Sequence, residues 1–68
     1  MMNIILNNRP ESFHEETLTF AELIRKKNFT FKFLVTKLNG KLVRKEHRDT
    51  TEITDGDNVT VLHLISGG

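Results

Sequence analysis

The stretch Leu18-Thr-Phe-Ala-Glu-Leu-Ile-Arg-Lys-Lys-Asn28 decides how the rest of this 68-residue chain is read. Thr19 followed three residues later by Glu22 is a capping box, in which each side chain satisfies a backbone donor of the first helical turn. Leu18 and Leu23 occupy the two positions of a hydrophobic staple. Phe20, Leu23 and Ile24 supply one apolar stripe, and Arg25, Lys26 and Lys27 place positive charge at the negative end of the helix dipole. Asn28 is a suitable stop. The pattern predicts a helix from about Phe20 to Lys27.

Strand signals lie on both sides of this helix. Asn3 to Asn7 is a short apolar run of strand length, and Asn7-Asn8-Arg9-Pro10 is a turn cluster. Glu11 to Glu16 can return as a second strand. After the helix, Phe29 to Leu38 is dense in aromatic and β-branched residues and reads as strand. Asn39-Gly40 is a strong hairpin signal, because both central positions of a type I′ turn need positive φ. Lys41 to Arg44 runs back as its partner. The next segment, Arg44 to Ile53, is polar and reads as irregular. Thr54 to Asn58 forms a second turn, and Val59 to Ile65 closes the chain as a long alternating strand. The order is strand, strand, helix, strand, strand, strand, with no repeat and no linker. One domain is expected over residues 1–68, with a short flexible tail at residues 66–68.

Composition narrows the function. A chain this short buries only about 60% of its unfolded surface, which leaves little room for a deep, water-free catalytic pocket. It contains no cysteine, so disulfide staples, thiolate nucleophiles and thiolate metal sites are excluded. The amino terminus lacks a basic leader, and its apolar run is too short for a secretory signal or a membrane span. A cytoplasmic protein that binds neither membrane nor nucleic acid is expected. The net charge is only +1, without the basic stripe interleaved with aromatics that marks nucleic-acid binders. The charge is segregated all the same. Lys37, Lys41, Arg44, Lys45 and Arg48 are followed by Asp49, Glu52, Asp55 and Asp57, a polarity suited to solvated loops or to orienting a protein partner. His14, His47 and His63 are too widely spaced to read as a metal site, and none is expected. Ser66 lacks the G-x-S-x-G setting of a nucleophile. No acid–base constellation points to an enzyme.

One helix packed across one face of a mixed sheet of four to five strands is a two-layer α+β domain. In this order it resembles the β-grasp, the ubiquitin-like roll, whose last strand lies centrally beside the first. Residues 39–68 resemble the carboxyl half of the ThiS-type sulfur carriers of thiamine biosynthesis. Asn39, Gly40, Val43, Thr51, Ile53, Asp55, Gly56, Asp57, Val59, Val61, Gly67 and Gly68 occupy the matching positions. The helix segment is also similar, so the likeness spans nearly the whole chain. The chain departs from the pattern where an aromatic often precedes the Asp-Gly-Asp turn: His47 and Arg48 stand in that neighbourhood.

The resemblance implies a function for Gly67 and Gly68. Gly68 would be adenylated by a ThiF-type enzyme and converted to a C-terminal thiocarboxylate by a sulfur-donating protein. A thiazole synthase would then receive the sulfur. ATP and magnesium would come with the adenylating partner, and this chain would bind no cofactor of its own. The chemistry of the end agrees with that role. A terminal carboxylate, with an ordinary pKa near ~3.5, is an anion and a poor electrophile until joined to a leaving group. Ser66 to Gly68 reach at most about 10–11 Å when extended. Glycines lack the side chains that would block a narrow channel. Ser66 and Gly67 would thread the tail, and Gly68 would carry the modification.

Alternation in the strands points to a second surface. Val59, Val61 and Ile65 share one parity of the last strand, and Leu62 and Leu64 the other. Phe29, Phe31, Phe33 and Val35 likewise oppose Leu34 and Leu38. A single helix covers one sheet face, so some large apolar side chains must point outward. Leu62, Leu64, Phe31, Phe33 and Val35 are expected to form a docking patch beside the tail. A molybdopterin-synthase small subunit, a ubiquitin-like modifier and a β-grasp binding module with an inert tail stay open as alternatives.

Overall fold

The computed structural model describes residues 1–29 and 33–63. The elements are β1 (Met2–Leu6), β2 (Arg9–Phe13), β3 (Thr17–Thr19), α1 (Phe20–Lys26), β4 (Leu34–Leu38), β5 (Lys41–Val43), a 3-10 turn (Lys45–His47), β6 (Glu52–Thr54) and β7 (Asn58–His63). Five strands form one sheet in the order β2-β1-β7-β4-β5, and β3 pairs with β6 in a second, two-stranded sheet. The central pair, β1 and β7, is parallel, and the other pairings of the large sheet are antiparallel. With one helix packed on this mixed sheet and the last strand beside the first, the fold is the expected β-grasp.

Local chemistry sets most of these boundaries. Thr19 Oγ1 accepts from the Glu22 N–H at 3.1 Å, and the Glu22 carboxylate accepts from the Thr19 N–H at 2.9 Å, which completes the capping box. The helix ends one residue before the expected Lys27, in a Schellman motif. Asn28 takes φ 58°, its N–H donates to Arg25 O, and the Phe29 N–H donates to Ile24 O. Phe29 is therefore part of the helix stop. Among the described residues β4 begins at Leu34, so the expected strand start at Phe29 is corrected. The second strand is also shifted from its expected place. Asn7 and Asn8 both take positive φ and make a two-residue hairpin, so β2 begins at Arg9 and carries Pro10 on the outer edge of the sheet.

The core is the space between helix and sheet. Met2, Ile4 and Leu6 of β1, Val59 and Val61 of β7, Phe20 and Leu23 of α1, Leu18 of β3 and Ile53 of β6 are buried together. Complete burial of side chains such as Phe20 and Leu23 stabilises by about 2–3 kcal/mol each. Phe13, Phe29, Leu34, Leu38 and Val43 pack around this cluster.

The polar segment after β5 is not irregular as expected. Its 3-10 turn leads into β6, where Ile53 pairs in register with Leu18 and both side chains are buried. Its carbonyls also cap the helix: the Phe20 N–H donates to Thr51 O and the Ala21 N–H to Arg48 O, each at 3.1 Å. With the Thr19 cap, these bonds satisfy the first three helical N–H groups. Arg48 fastens the segment to the sheet. Its Nε donates to Thr36 Oγ1 at 3.1 Å, and its Nη2 donates to Leu34 O at 2.7 Å. Thr36, the buried polar residue of the core, donates in turn to Val43 O at 2.6 Å. Arg48 thus ties the segment to β4.

Candidate functional site

Of the expected site residues, Phe33, Val35 and Leu62 are described, and these fall at one end of β7. Val35 of β4 and Leu62 of β7 are register partners. Val59, Thr36 and Val61 face the core, so Val35 and Leu62 belong to the opposite, outer face. Leu62 is 52% exposed and Phe33, just before β4, is 51% exposed. The structure therefore brings Phe33, Val35 and Leu62 to the same end of the sheet, where β7 leads into residues 64–68. Phe31, Leu64, Ser66, Gly67 and Gly68 lie outside the described residues.

Beneath this end is a cleft of about 320 Å³ lined by Asn7, Phe29, Leu34, Val61, Leu62 and His63. Asn7 is a residue whose role its place in a turn cluster did not suggest. Its N–H donates to Val59 O at 2.9 Å. Its side-chain Oδ1 then accepts from the Val61 N–H at 2.8 Å, and its Nδ2 donates to Val61 O at 3.0 Å. The carboxamide acts as a further rung of the parallel β1–β7 ladder after the β1 backbone has turned away. The signal was present in the Asn-Asn pair. Asn tolerates positive φ at a turn and carries both a donor and an acceptor to spend on a neighbouring strand.

The other end of the sheet is also tied by side chains. Asn39 takes φ 51° and Gly40 φ 84° in the β4–β5 hairpin, and Gly56 takes φ 88° in the turn before β7. Asp57 joins the two turns through Asn39, and Asp55 Oδ1 accepts from the Asn3 N–H at 2.7 Å. Central β7 is thereby fixed at its start by Asn39 and Asp57, along its length by β1 and β4, and near its end by Asn7. The carboxyl-terminal segment is thus joined at His63 to a firmly held strand.

A more open hollow lies beside α1, lined by Glu15, Leu18, Glu22, Arg25 and Lys26. Glu15 and Lys26 pair across it at 3.0 Å. This hydrogen bond to Lys26 is the main reason the Glu15 carboxyl is held below the ordinary carboxylate range. Its own backbone N–H and the charges of Lys26 and His14 act in the same direction, against a smaller effect of burial. The hollow is a surface ion pair, not a set of groups poised for proton transfer. His14, His47 and His63 are all exposed and lie apart in the chain, in the β2–β3 connection, the 3-10 turn and β7. Among the described residues, no helix is long and apolar enough to cross a membrane.

Comparison with known proteins agrees with this architecture. The sequence matches the model of the ThiS family over residues 4–68. The fold is similar to the crystal structure of the thiamine biosynthesis protein ThiS from Geobacter metallireducens, with a TM-score of 0.88 and 30% sequence identity over 98% of this chain and 100% of that one. It is also similar to the NMR solution structure of a thiamine biosynthesis protein from Geobacter metallireducens, with a TM-score of 0.81 and 30% identity over 98% of this chain and 88% of that one. No curated protein matched. On the family match and on a shared fold with strand β7 at its centre, this chain belongs to the ThiS family.

Proposed function

We propose that this chain is a sulfur carrier of thiamine biosynthesis, with Gly68 as the residue that is activated and Gly67 and Ser66 as the spacer that delivers it. The observation that carries this reading is the family match, which runs through residue 68 and so includes the Gly67-Gly68 ending. The geometry of β7 supports it. A carrier needs a rigid body behind the end that another protein engages, and β7 is held by β1, by β4 and by the Asn7 side chain.

In this reading a Gly68 carboxylate oxygen attacks the α-phosphorus of ATP on a ThiF-type enzyme and expels pyrophosphate. The acyl adenylate now has a good leaving group. Hydrosulfide delivered by a sulfur-donating protein adds to the carbonyl carbon and AMP departs, so the bond to the phosphate oxygen breaks as the carbon–sulfur bond forms. The resulting thiocarboxylate is presented to a thiazole synthase. The chain is a co-substrate throughout, while ATP and magnesium belong to the adenylating partner. The absence of a Cβ on Gly67 and Gly68 keeps the reacting carbonyl uncrowded. Phe33, Val35 and Leu62, with Leu64 and Phe31 of the same runs, form the surface on which those partners dock.

Intact mass spectrometry tests the cycle. Incubation with the ThiF-type enzyme, ATP and a sulfur source should add AMP and then exchange one terminal oxygen for sulfur. Deleting Gly68 should abolish both changes and leave the melting curve intact. Normal adenylation of the deletion variant overturns the assignment of Gly68. Isopeptide conjugates to lysine in place of sulfur exchange overturn the carrier reading in favour of a modifier.

A further inference from the structure

Resting on the carrier reading, we infer that the β5 edge is a second docking surface, one that captures a protein partner presenting carboxylates around an apolar contact. The charge of the chain is concentrated there. Residues 37–49 hold five cationic side chains and two carboxylates, whereas the rest of the chain holds five cationic side chains and seven carboxylates. A near-neutral protein is thus divided into a basic edge and an acidic remainder.

The cations at this edge are not used internally as ion pairs. The ion pairs among the described residues employ the amino terminus, Lys26 and Lys27, and none involves Lys37, Lys41, Arg44, Lys45 or Arg48. Arg48 donates to a hydroxyl and a carbonyl, both neutral, so its charge is left uncompensated. Leu42 sits among these residues, opposite Lys37 in the β4–β5 register, and is 63% exposed.

Protection of a sheet edge against aggregation explains some of this pattern, since lysines on an edge strand discourage further pairing. It does not explain the whole. The opposite edge, β2, is guarded by Pro10 and by charges of both signs, Arg9 and Glu11. An edge built only to repel would not hold Leu42 out to solvent, and Lys37 lies on β4, inside the sheet. Leu42, exposed opposite Lys37 at an edge whose cations outnumber its carboxylates five to two, has the anatomy of an interface, with an anchor and a steering rim. Leu42 and Lys37 share the outer face with Val35 and Leu62, so the basic edge is continuous with the docking patch at the end of β7. Nucleic acid fits less well, because Glu46 and Asp49 interrupt the cations and no Phe, Tyr or Trp lies between Lys37 and Asp49 for bases to stack on.

The test is the association rate of the chain with the ThiF-type enzyme of the same genome, measured by stopped flow at low and high salt. Lys41→Glu combined with Lys45→Glu should slow association about tenfold at about 25 mM salt, and the difference should shrink to less than about twofold at about 500 mM. Arg9→Glu, on the opposite edge, should leave the rate unchanged. Melting curves verify that each variant folds. Equal rates for the double variant and the parent at low salt overturn the basic-edge assignment while the carrier reading stands. Failure of the parent chain to bind the enzyme at all overturns both. A duplex DNA oligonucleotide bound as tightly as the enzyme, and released by the double substitution, overturns the proposal in favour of nucleic acid.

Discussion

Asn39 Nδ2 donates to Asp57 Oδ1 at 3.0 Å, joining the β4–β5 hairpin to the turn that launches β7. The same Asn39 side chain accepts from the Asn58 N–H at 2.8 Å, and Asp57 Oδ2 accepts from the Thr54 N–H at 2.9 Å. Asn39 also holds φ 51°, a conformation that Asn tolerates better than most residues. Asn39→Ala removes two hydrogen bonds and leaves a Cβ-bearing residue without local support in the left-handed region. Each bond contributes about 1 kcal/mol and the backbone about 1 more, so a loss of about 2–3 kcal/mol is expected in urea titration.

Gly40→Ala separates the backbone part of that cost from the rest. Gly40 has φ 84°, and a Cβ placed there meets no atom within 4 Å. Only conformational strain is added, so the substitution should cost about 1 kcal/mol with an unchanged m-value. A loss as large as that of Asn39→Ala would mean that the turn's shape, and not its link to Asp57, holds β7 in register.

Arg48 and Thr36 form the hinge pin of the polar segment. Arg48→Met keeps the length of the side chain but loses the bonds to Thr36 Oγ1 and Leu34 O. Hydrogen bonds from charged donors contribute about 1.5–3 kcal/mol, and Arg48→Lys should recover little, because a single ammonium does not reproduce the guanidinium fork. Combining Arg48→Met with Thr36→Val should give a coupling of about 1 kcal/mol in a double-mutant cycle. Additive effects would show that the two residues act independently.

These two clamps mark how far the sequence could be read. The helix was legible because its cap is local: Thr19 and Glu22 are three residues apart and bond each other. The Asn39-Gly40 turn was legible for the same reason. The central place of β7 followed from the order of elements and the resemblance together. By contrast, β6 was missed because it has only three residues and a single buried side chain, Ile53, whose partner Leu18 is thirty-five positions away. Arg48 and Asn7 were missed because polar residues in a turn-rich segment look solvated until the carbonyls they meet are known. Within the candidate site, the exposed parity of Val35 and Leu62 was readable from alternation alone. The pairing of those two residues across β4 and β7 required the register.

Glu15 and Lys26 give a pH dependence of defined sign. Glu15 has a folded-state pKa below its ordinary value, chiefly through the hydrogen bond to Lys26, so the folded chain binds fewer protons there than the unfolded chain. The pair's contribution is therefore fully present above the ordinary carboxylate range and is lost as pH falls through the folded-state pKa. Glu15→Gln should be slightly less stable than the parent at pH 7, and the gap should close as acidification protonates the Glu15 carboxylate of the folded chain. Both side chains are substantially exposed, so about 500 mM salt should shrink the gap as well. A gap independent of pH would assign the effect to packing of the Glu15 stem.

Leu62 separates docking from folding. It lies on the outer face beside Val35 and is half exposed, whereas its neighbour Val61 faces inward and is 5% exposed. Leu62→Glu should therefore leave thermal stability within about 0.5 kcal/mol of the parent, as surface substitutions do. Val61→Ala opens a cavity in the core and should cost about 2 kcal/mol or more. Binding to the adenylating enzyme should rank the two the other way. Burying a glutamate against an apolar contact leaves an unpaired charge, and a loss of affinity of about tenfold or more is expected for Leu62→Glu. Val61→Ala, once folded, should bind within about twofold of the parent, because its side chain does not reach the surface. Isothermal titration alongside thermal melts gives both rankings from the same samples. If Leu62→Glu melts early and binds normally, Leu62 is a fold residue and the outer face of β7 is not where the partner sits.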